Sequence, residues 1–591
     1  MHVERVAIRN FRCLKTADIR LRKGLNLLVG RNGSGKSTVL AALRILLDAT
    51  LGRKTRTLDD ADVFGDVKLA GPANVVIAAQ FAGFEDTSHD KELRLRMKAE
   101  GDNPSQWLVY RFRPTLEART QLQDGERKAG DLTINDYESE RLIGVAEDPF
   151  SLEWDSESSG EELKDKDLAT IFVEEIPAVR DVVSELRRQR TSPLAELLAS
   201  IEVAEPEKER VEAAYGEAQR AMEDVTALAE VATAIRSSYE LLTAEAQIQI
   251  RLGLTRPGFA AIVQDLGLYL TDDQVSNMEL RRNGLGYNNL LYIAMLLENF
   301  RRRVAKKEGS PLLLIEEPEA HLHPQSQEAL LRSIAGQSFQ TIATTHSPYV
   351  AVTAGLRTII NLERTDAVKG INLVDAASIT AQELSDLDRF LNADRGTLLF
   401  AAAVMLVEGP SEQILVPLYA SNLGHDLAKL GIQVCSINGT HFAAFQKLLG
   451  QNGVNRPFVV IRDGDQHRCK GSKLPALDAG SNIGDGVTFM TATTLEYAIT
   501  RIDSLEALAY TADHFGKRSL RASLSSAIET KELTGELQLE VLRAAEDVGK
   551  ARFAQVFGER VVCDHLRPPE YIGAAIEAAI AARLQSLNQA G

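Results

Sequence analysis

The chain reads as an α/β protein made of two parallel-sheet units in tandem. Three observations predict this. An apolar run, Leu25–Val29, passes into a glycine-rich turn and then into a helical pattern. Two later apolar runs, residues 312–315 and 341–344, each stop abruptly at polar residues. From near residue 398 the pattern starts again, with apolar runs at 401–407 and 458–461 that both end in carboxylates. Short, continuously apolar runs mark strands covered on both faces, as in parallel sheets.

Bulk properties bound the reading. At 591 residues the chain exceeds one hydrophobic core, and about two to four domains are expected. Hydrophobic residues make up 44% and charged residues 25%, an ordinary globular balance. No apolar run reaches the roughly 18 residues needed to span a bilayer. Met1 to Arg5 alternates like a strand and carries no signal-peptide core, so a cytoplasmic protein is expected. Cys13, Cys435, Cys469 and Cys563 are widely spaced, which argues for reduced thiols over a zinc site or disulfides. The net charge of -16 excludes a histone-like binder, but not a local basic groove beside acidic metal ligands.

Along the chain, residues 1 to about 130 read as strands around a single loop–helix unit. Residues 147–167 are acidic and serine-rich, the pattern of an exposed loop or insertion tip. From Glu174 to Ile250 the pattern turns helical. Val211, Tyr215, Ala218, Met222, Val225 and Leu228 form an apolar stripe that suits either a packed helix or a projecting dimerisation arm. A strand-poor helical stretch is expected at about 502–547, and no internal repeat is present.

The turn after Leu25–Val29 is Gly30-Arg-Asn32-Gly33-Ser-Gly35-Lys36-Ser37, with Thr38 continuing into a helix. This is a P-loop in its required strand–loop–helix context. Its backbone N–H groups would wrap a phosphate of ATP, Lys36 would reach the β- and γ-phosphates, and Ser37 would ligate Mg²⁺. Residues 312–315 lead into Glu316-Glu317-Pro318-Glu319. Glu316 is assigned to the metal shell and Glu317 to activation of the attacking water. His346, in Thr345-His346-Ser347-Pro348, resembles the switch histidine of ABC ATPases. His321 and His323 form an HxH pair with no third ligand nearby, in a stretch resembling the D-loop. Gly284 and Gly286 lie at a helix start that resembles the γ-phosphate cap which a second ABC subunit supplies. That implies a dimer. Gln80 suits either a Q-loop residue or a strand-edge glutamine.

In the second unit, residues 401–407 end in Glu408-Gly-Pro-Ser-Glu412, and residues 458–461 end in Arg462-Asp463-Gly-Asp465. Carboxylates at the ends of adjacent parallel strands point into one crevice. They would repel one another unless divalent cations neutralise them, and an all-oxygen set suits Mg²⁺ or Mn²⁺. Glutamate after one strand and DxD after a later one is the Toprim pattern.

An ABC-type ATPase followed by a Toprim unit resembles the OLD (overcoming lysogenization defect) endonucleases. Residues 177–181 with Arg187, Arg190 and Ser192-Pro193-Leu194 resemble the segment before that family's helical insertion. Thr494-Leu-Glu496-Tyr resembles its third acidic motif, and Gly549-Lys550-Ala-Arg-Phe-Ala the segment carrying its catalytic lysine. The resemblance spans nearly the whole chain, fitting least specifically at 147–167 and 502–547. It implies an ABC-type P-loop ATPase over residues 1–385, with a helical dimerisation insertion at about 170–255. A Toprim α/β domain follows over 395–591, with a helical insertion at about 502–547. It further implies that Glu408, Glu412, Asp463, Asp465 and Glu496 hold two metal ions, and that Lys550 stabilises charge on the scissile phosphate. Read from the residues alone, Lys550 equally suits a helix surface.

The expected function is therefore an ATP-binding, metal-dependent DNA endonuclease, working as at least a dimer in phage defence or DNA repair. The length and the late lysine resemble the class 2, helicase-associated type, which implies a UvrD-like helicase partner. A non-cleaving, ATP-gated DNA clamp of the RecF or chromosome-maintenance type is the alternative. A Toprim topoisomerase or primase would need more machinery; a topoisomerase in particular requires a tyrosine nucleophile on a separate DNA-gate domain, and no such region is found in the sequence. Arg187, Arg188 and Arg190, and the run Arg301–Arg303 with Lys306 and Lys307, read either as phosphate contacts or as solvated helix faces.

Overall fold

The structure, a computed structural model, describes residues 1–65, 72–84, 88–97, 107–168, 171–178, 193–242, 258–264, 266, 269–270, 278–279, 284–306, 309–320, 322–363, 367–391, 393–439, 441–465 and 487–590. It divides into two compact units: Val179–Gly309 with Ala320–His323, and the remainder.

The larger unit holds three sheets that matter for function. A five-stranded sheet runs in the order Ile359–Asn361, Leu25–Val29, Gln340–Thr344, Ser310–Glu316, Ile171–Ile176, all parallel. Every residue of Leu25–Val29 and Gln340–Thr344 is buried, as expected of central parallel strands covered on both faces. A seven-stranded, mainly antiparallel sheet is built around His2–Phe11 and Val75–Ala82. Helix Lys36–Leu47 packs against strands of both sheets, and nine of its twelve residues are buried. A helix apolar on nearly every side can be satisfied only in such a sandwiched place.

The third sheet, also all parallel, runs Ile432–Ser436, Ala403–Val407, Phe458–Arg462, Thr488–Met490. Its core takes in the helices Leu505–His514, Arg518–Thr530 and Gly535–Val548, so the stretch at 502–547 is helical and integral to the fold. Helix Lys550–Cys563 lies along Pro410–Asn422. Gly558 permits that approach: a Cβ there would sit 2.8 Å from Leu418 Cδ1.

In the smaller unit, helix Leu285–Ala305 is tied to Pro193–Ala199 by Asn299, which donates to the Pro193 carbonyl at 3.0 Å. Arg301 and Arg302 share Glu298, and Arg303 faces Glu196, so two acids partly offset the three arginines of this run. Arg187, Arg188, Arg190, Lys307 and His321 lie outside the described residues.

Four features differ from the sequence reading. Residues 171–176, expected to open a helical stretch, form the edge strand of the five-stranded sheet. As an edge strand it is fully buried only at Ile171 and Ile176, so Glu174 and Glu175 hid its period. The acidic segment is not a free loop. Arg9 donates to the carbonyls of Phe150 (3.1 Å) and Leu152 (3.0 Å), and Arg111 and Arg113 to that of Ser156 (2.9 and 2.8 Å). The apolar stripe crosses two helices, Glu205–Glu223 and Thr226–Leu242, and no residue of the first is buried. Met222 and Val225 are 42% and 41% exposed, which does not fit a packed body helix. Gln80 lies within Val75–Ala82, opposite Arg5, and not at a strand end.

Leu406 is fully buried in the middle of Ala403–Val407. Leu406→Ala should cost about 2–5 kcal/mol, through lost transfer energy and the cavity left behind. A melting temperature unchanged from the parent protein would contradict this packing.

Candidate nucleotide and metal sites

The P-loop forms as its glycines require. Gly33 and Gly35 take φ of 76° and 95°, left-handed values at which a side chain would be strained. Gly30 is needed for space: a Cβ there would lie 2.2 Å from the Leu362 carbonyl oxygen. Asn32 and Gly33 are exposed at the loop crown. Lys36 is buried and folds back, donating to the carbonyls of Gly30 (2.8 Å) and Arg31 (3.0 Å). Burial pulls its ammonium down to about 8, which the Glu317 charge partly offsets. Ser34 Oγ is buried with no partner among the described residues, an orphan that a phosphate oxygen would satisfy. The Thr38 hydroxyl faces Cys13 Sγ at 3.2 Å.

The neighbouring strands deliver the remaining groups. Ser37 Oγ donates to Glu316 Oε1, which brings together the two residues assigned to one metal shell. Glu317 takes φ of 48°, uncommon for a residue with a side chain, and its N–H is held by the Thr344 carbonyl at 3.1 Å. His346 follows the adjacent strand. Burial lowers its pKa, as does the charge of Lys36, against opposing pulls from Glu317 and Glu319. Lys36, Glu317 and His346 thus share one field.

Glu319 was given no role from sequence, yet it holds the histidine turn. Its Oε1 accepts from Thr345 Oγ1 (2.7 Å) and from the N–H groups of His346 (3.0 Å) and Ser347 (3.2 Å). The signal that could have found it is the third carboxylate of Glu316-Glu317-Pro-Glu319, set beyond a proline that turns the chain.

Gly284 caps helix Leu285–Ala305 without a side-chain bond. Gly284 and Tyr287 are exposed and Gly286 is half-buried, leaving that helix start open.

At the third sheet of the larger unit, Glu408 follows one strand, Asp463 follows its neighbour, and Glu412 sits in the first turn of Pro410–Asn422. Glu496, on the short helix Leu495–Ile499, is 3% exposed and accepts from Lys550 Nζ at 2.9 Å. Lys550 is the first residue of its helix, so the packing of that helix on Pro410–Asn422 sets it among the acids. Burial and the Glu496 charge push Glu412 up to about 8. Burial, then Glu412, Glu496 and Glu408, hold Asp463 well above the usual carboxylate range. Burial also raises Glu408, and Asp465 adds to the effect. Lys550 is pulled down by burial, but Glu496, Asp463 and Glu412 outweigh this and leave it raised.

These groups are close enough to repel, but they are not yet arranged as ligands. Among the described residues, no three metal-binding side chains surround one point. Glu412 accepts from the Gly409 N–H and Glu408 from the Asp463 N–H, both at 3.1 Å, while Lys550 occupies Glu496. Asp465 is half-buried, at a φ of 52°, with its N–H held by the Thr493 carbonyl. The hydroxyls of Ser411 and Thr494, next to Glu412 and near Glu496, are buried without a partner among the described residues. An all-oxygen set with unmet charge and orphan hydroxyls fits a hard divalent cation once side chains rotate.

Two outcomes follow. Glu319→Ala should lower kcat for ATP about tenfold or more, as expected for losing charge-assisted bonds of about 1.5–3 kcal/mol. Glu319→Gln, which keeps an acceptor oxygen, should retain most activity, and a wild-type rate in the alanine variant would show the clamp to be idle. Because folded Glu412 binds its proton more tightly than the unfolded chain, its contribution to ion-free stability is complete below 4.5 and is lost as pH rises to about 8. Mn²⁺, which replaces that proton, should therefore raise the melting temperature more at about pH 8 than at about pH 6; an equal rise would disprove the competition.

Comparison with known proteins agrees with this architecture. An AAA ATPase domain model matches residues 1–109 and 176–351. A model described as overcoming lysogenization defect protein-like, TOPRIM domain, matches 399–465. Over 253 residues the chain is 26% identical to Endonuclease GajA of Bacillus cereus strain HuB5-5, a match covering 38% of this chain and only 36% of that protein. It is 22% identical to the Old nuclease of Escherichia phage P2 over 464 residues, 73% of this chain and 72% of that one. The C-terminal region of the Xanthomonas campestris pv. campestris OLD protein is 30% identical, covering 33% of this chain and 99% of that one, at a TM-score of 0.26. No helix among the described residues is long and apolar enough to cross a membrane. With an ATPase domain followed by a TOPRIM domain of this kind, the chain belongs to the OLD family of nucleases.

Proposed function

We propose that this ATPase–nuclease is a divalent-metal-dependent DNA endonuclease, dimeric through its ATPase domain, that serves phage defence or DNA repair. The observation that carries the proposal is the gathering of Glu408, Glu412, Asp463 and Glu496 around Lys550, beside parallel-strand ends. Carboxylates so crowded and desolvated are maintained against a stability cost, which points to a functional site. The names of two relatives, an endonuclease and a nuclease, support the same reading.

In this reading Glu408, Glu412, Asp463, Asp465 and Glu496 would hold two ions, Mg²⁺ or Mn²⁺, whose chemistry would be to acidify a water and to stabilise a leaving oxygen. Lys550 exchanges Glu496 for the scissile phosphate and meets the charge that develops there. On the ATPase side, Lys36 leaves its loop carbonyls for the β- and γ-phosphates, Glu317 orients the attacking water, and His346 donates to the γ-phosphate. A neutral imidazole, favoured by the lowered pKa of His346, still has one N–H for this purpose. The open helix start at Gly284 and Gly286 suits capping of a nucleotide bound by a second copy, and the exposed stripe at Met222 and Val225 suits a dimer contact. The lysine beginning helix Lys550–Cys563 supports the class 2 type, with a UvrD-like helicase as partner.

Glu408→Ala and Asp463→Ala should each reduce nicking of supercoiled plasmid in Mg²⁺ or Mn²⁺ by at least about 10³-fold, the scale of losing a main transition-state stabiliser, while ATP binding survives. Nicking at the parental rate in either variant would refute the site. Tight ATP-dependent DNA binding by the parent protein, without cleavage in any divalent ion, would favour the clamp reading.

A further inference from the structure

The starting ends of two strands in the nuclease sheet rest beside the nucleotide loop. Arg31, second residue of the P-loop, directs Nη2 to the Ala402 carbonyl at 3.4 Å. Ala402 immediately precedes Ala403–Val407, the strand whose far end is Glu408. Glu363, two residues beyond Ile359–Asn361, accepts from Asn455 Nδ2 (2.8 Å) and Arg456 Nη1 (3.2 Å). Arg456 lies two residues before Phe458–Arg462, the strand followed by Asp463. The two strands are paired to each other from Val404–Phe458 to Val407–Ile461. Each spans roughly 17 Å at about 3.3 Å per residue. A pair of buried, hydrogen-bonded strands moves as one piece, so a shift at the seat reaches the acids.

The loop side of this seat is bound closely to the phosphate site. Lys36 donates to the Arg31 carbonyl at 3.0 Å, so a phosphate that draws Lys36 away changes what holds the Arg31 peptide. The Leu362 N–H donates to the Val29 carbonyl at 2.7 Å, and Gly30 lies hard against the Leu362 carbonyl. No slack separates the loop from Glu363. Charge adds a second constraint. Burial and the nearby Arg31 charge pull Arg456 down to about 10, with Glu363 opposing. Arg583 is lowered by burial and again by Arg31. Glu363 is thus the acid that reconciles Arg456 with its cationic neighbour.

We propose that Arg31 and Glu363 are positioning residues for the nuclease site, carrying nucleotide occupancy of the P-loop to the strands that end at Glu408 and Asp463. The proposal rests on the reading of those acids as a nuclease site. It predicts that occupancy changes the cutting rate and that the change travels through two identifiable side chains.

The test uses the full-length protein. Plasmid nicking in Mn²⁺ is measured with and without a non-hydrolysable ATP analogue, saturating for each variant, and the ratio of rates is the readout. In the parent the ratio should differ from one by at least about fivefold, the lower bound of ordinary coupling. In Arg31→Ala and in Glu363→Gln it should fall within about twofold of one. A merely structural contact would lower both rates together and leave the ratio intact. Glu363→Gln lies outside the P-loop, so it keeps the test decisive if Arg31→Ala folds poorly or fails to bind the analogue. Hydrogen exchange of residues 403–408, with and without analogue, gives a readout independent of cleavage. If the parent fails to nick DNA yet shows an exchange change that both variants lose, the coupling stands and the nuclease reading falls. A parent ratio of one with unchanged exchange, or an undiminished ratio in Glu363→Gln, overturns the proposal.

Discussion

A parallel strand covered on both faces cannot carry a charge along its length, because an ion there would lose its water without gaining a partner. Charge can enter only where the strand stops. Leu25–Val29, Ser310–Glu316, Gln340–Thr344, Ala403–Val407 and Phe458–Arg462 all obey this rule. Each hands over to a polar group just at or beyond its last residues: the phosphate loop, Glu316 and Glu317, His346, Glu408, and Asp463. The two sites are consequences of one solvation constraint applied to two sheets.

Both sites also solve the same electrostatic problem with a lysine. Around the P-loop, carbonyl dipoles and Glu317 surround Lys36. In the nuclease unit, four carboxylates surround Lys550, which pairs with Glu496. Each lysine sits where an ion or phosphate chemistry is expected and holds together groups that would otherwise be uncompensated. The shifts in Glu412 and Asp463 show that this compensation is incomplete. The surplus negative charge is what makes the second site attractive to a hard cation.

Most of this was legible from residue order, for a physical reason. Buried parallel strands advertise themselves as unbroken apolar runs, and site residues lie next to their ends, so the P-loop, Glu316, Glu408 and Asp463 could be found by position. The edge strand Ile171–Ile176 escaped because solvent on its outer side lets Glu174 and Glu175 into it. The acidic segment misled in the opposite sense: its side chains look solvated, while its backbone carbonyls are what Arg9, Arg111 and Arg113 bind. Glu319 is marked only as a third carboxylate beyond a proline, because its partners are the Thr345 hydroxyl 26 residues away and main-chain N–H groups 27 and 28 residues away. Sequence pattern carries no trace of which backbone donors a carboxylate will meet. Arg31 carries no signal of its own within the P-loop, since only tertiary structure shows that its side chain reaches the Ala402 carbonyl.

The bond from Ser37 to Glu316 bears on how the nucleotide site fills. These two oxygens are the pair beside which a cation is expected: the hydroxyl proton points at the carboxylate, so the lone pairs of Ser37 Oγ and the second oxygen of Glu316 stay available to an ion. An ion arriving alone would find only these few protein oxygens and water, and a phosphate arriving alone would meet the negative charge of Glu316. Arriving together, each removes the obstacle facing the other. Under the proposed roles of Ser37 and Glu316, nucleotide and cation would be thermodynamically linked at this loop, each tightening the hold on its companion by the same factor, and the pocket would favour the chelate over either component.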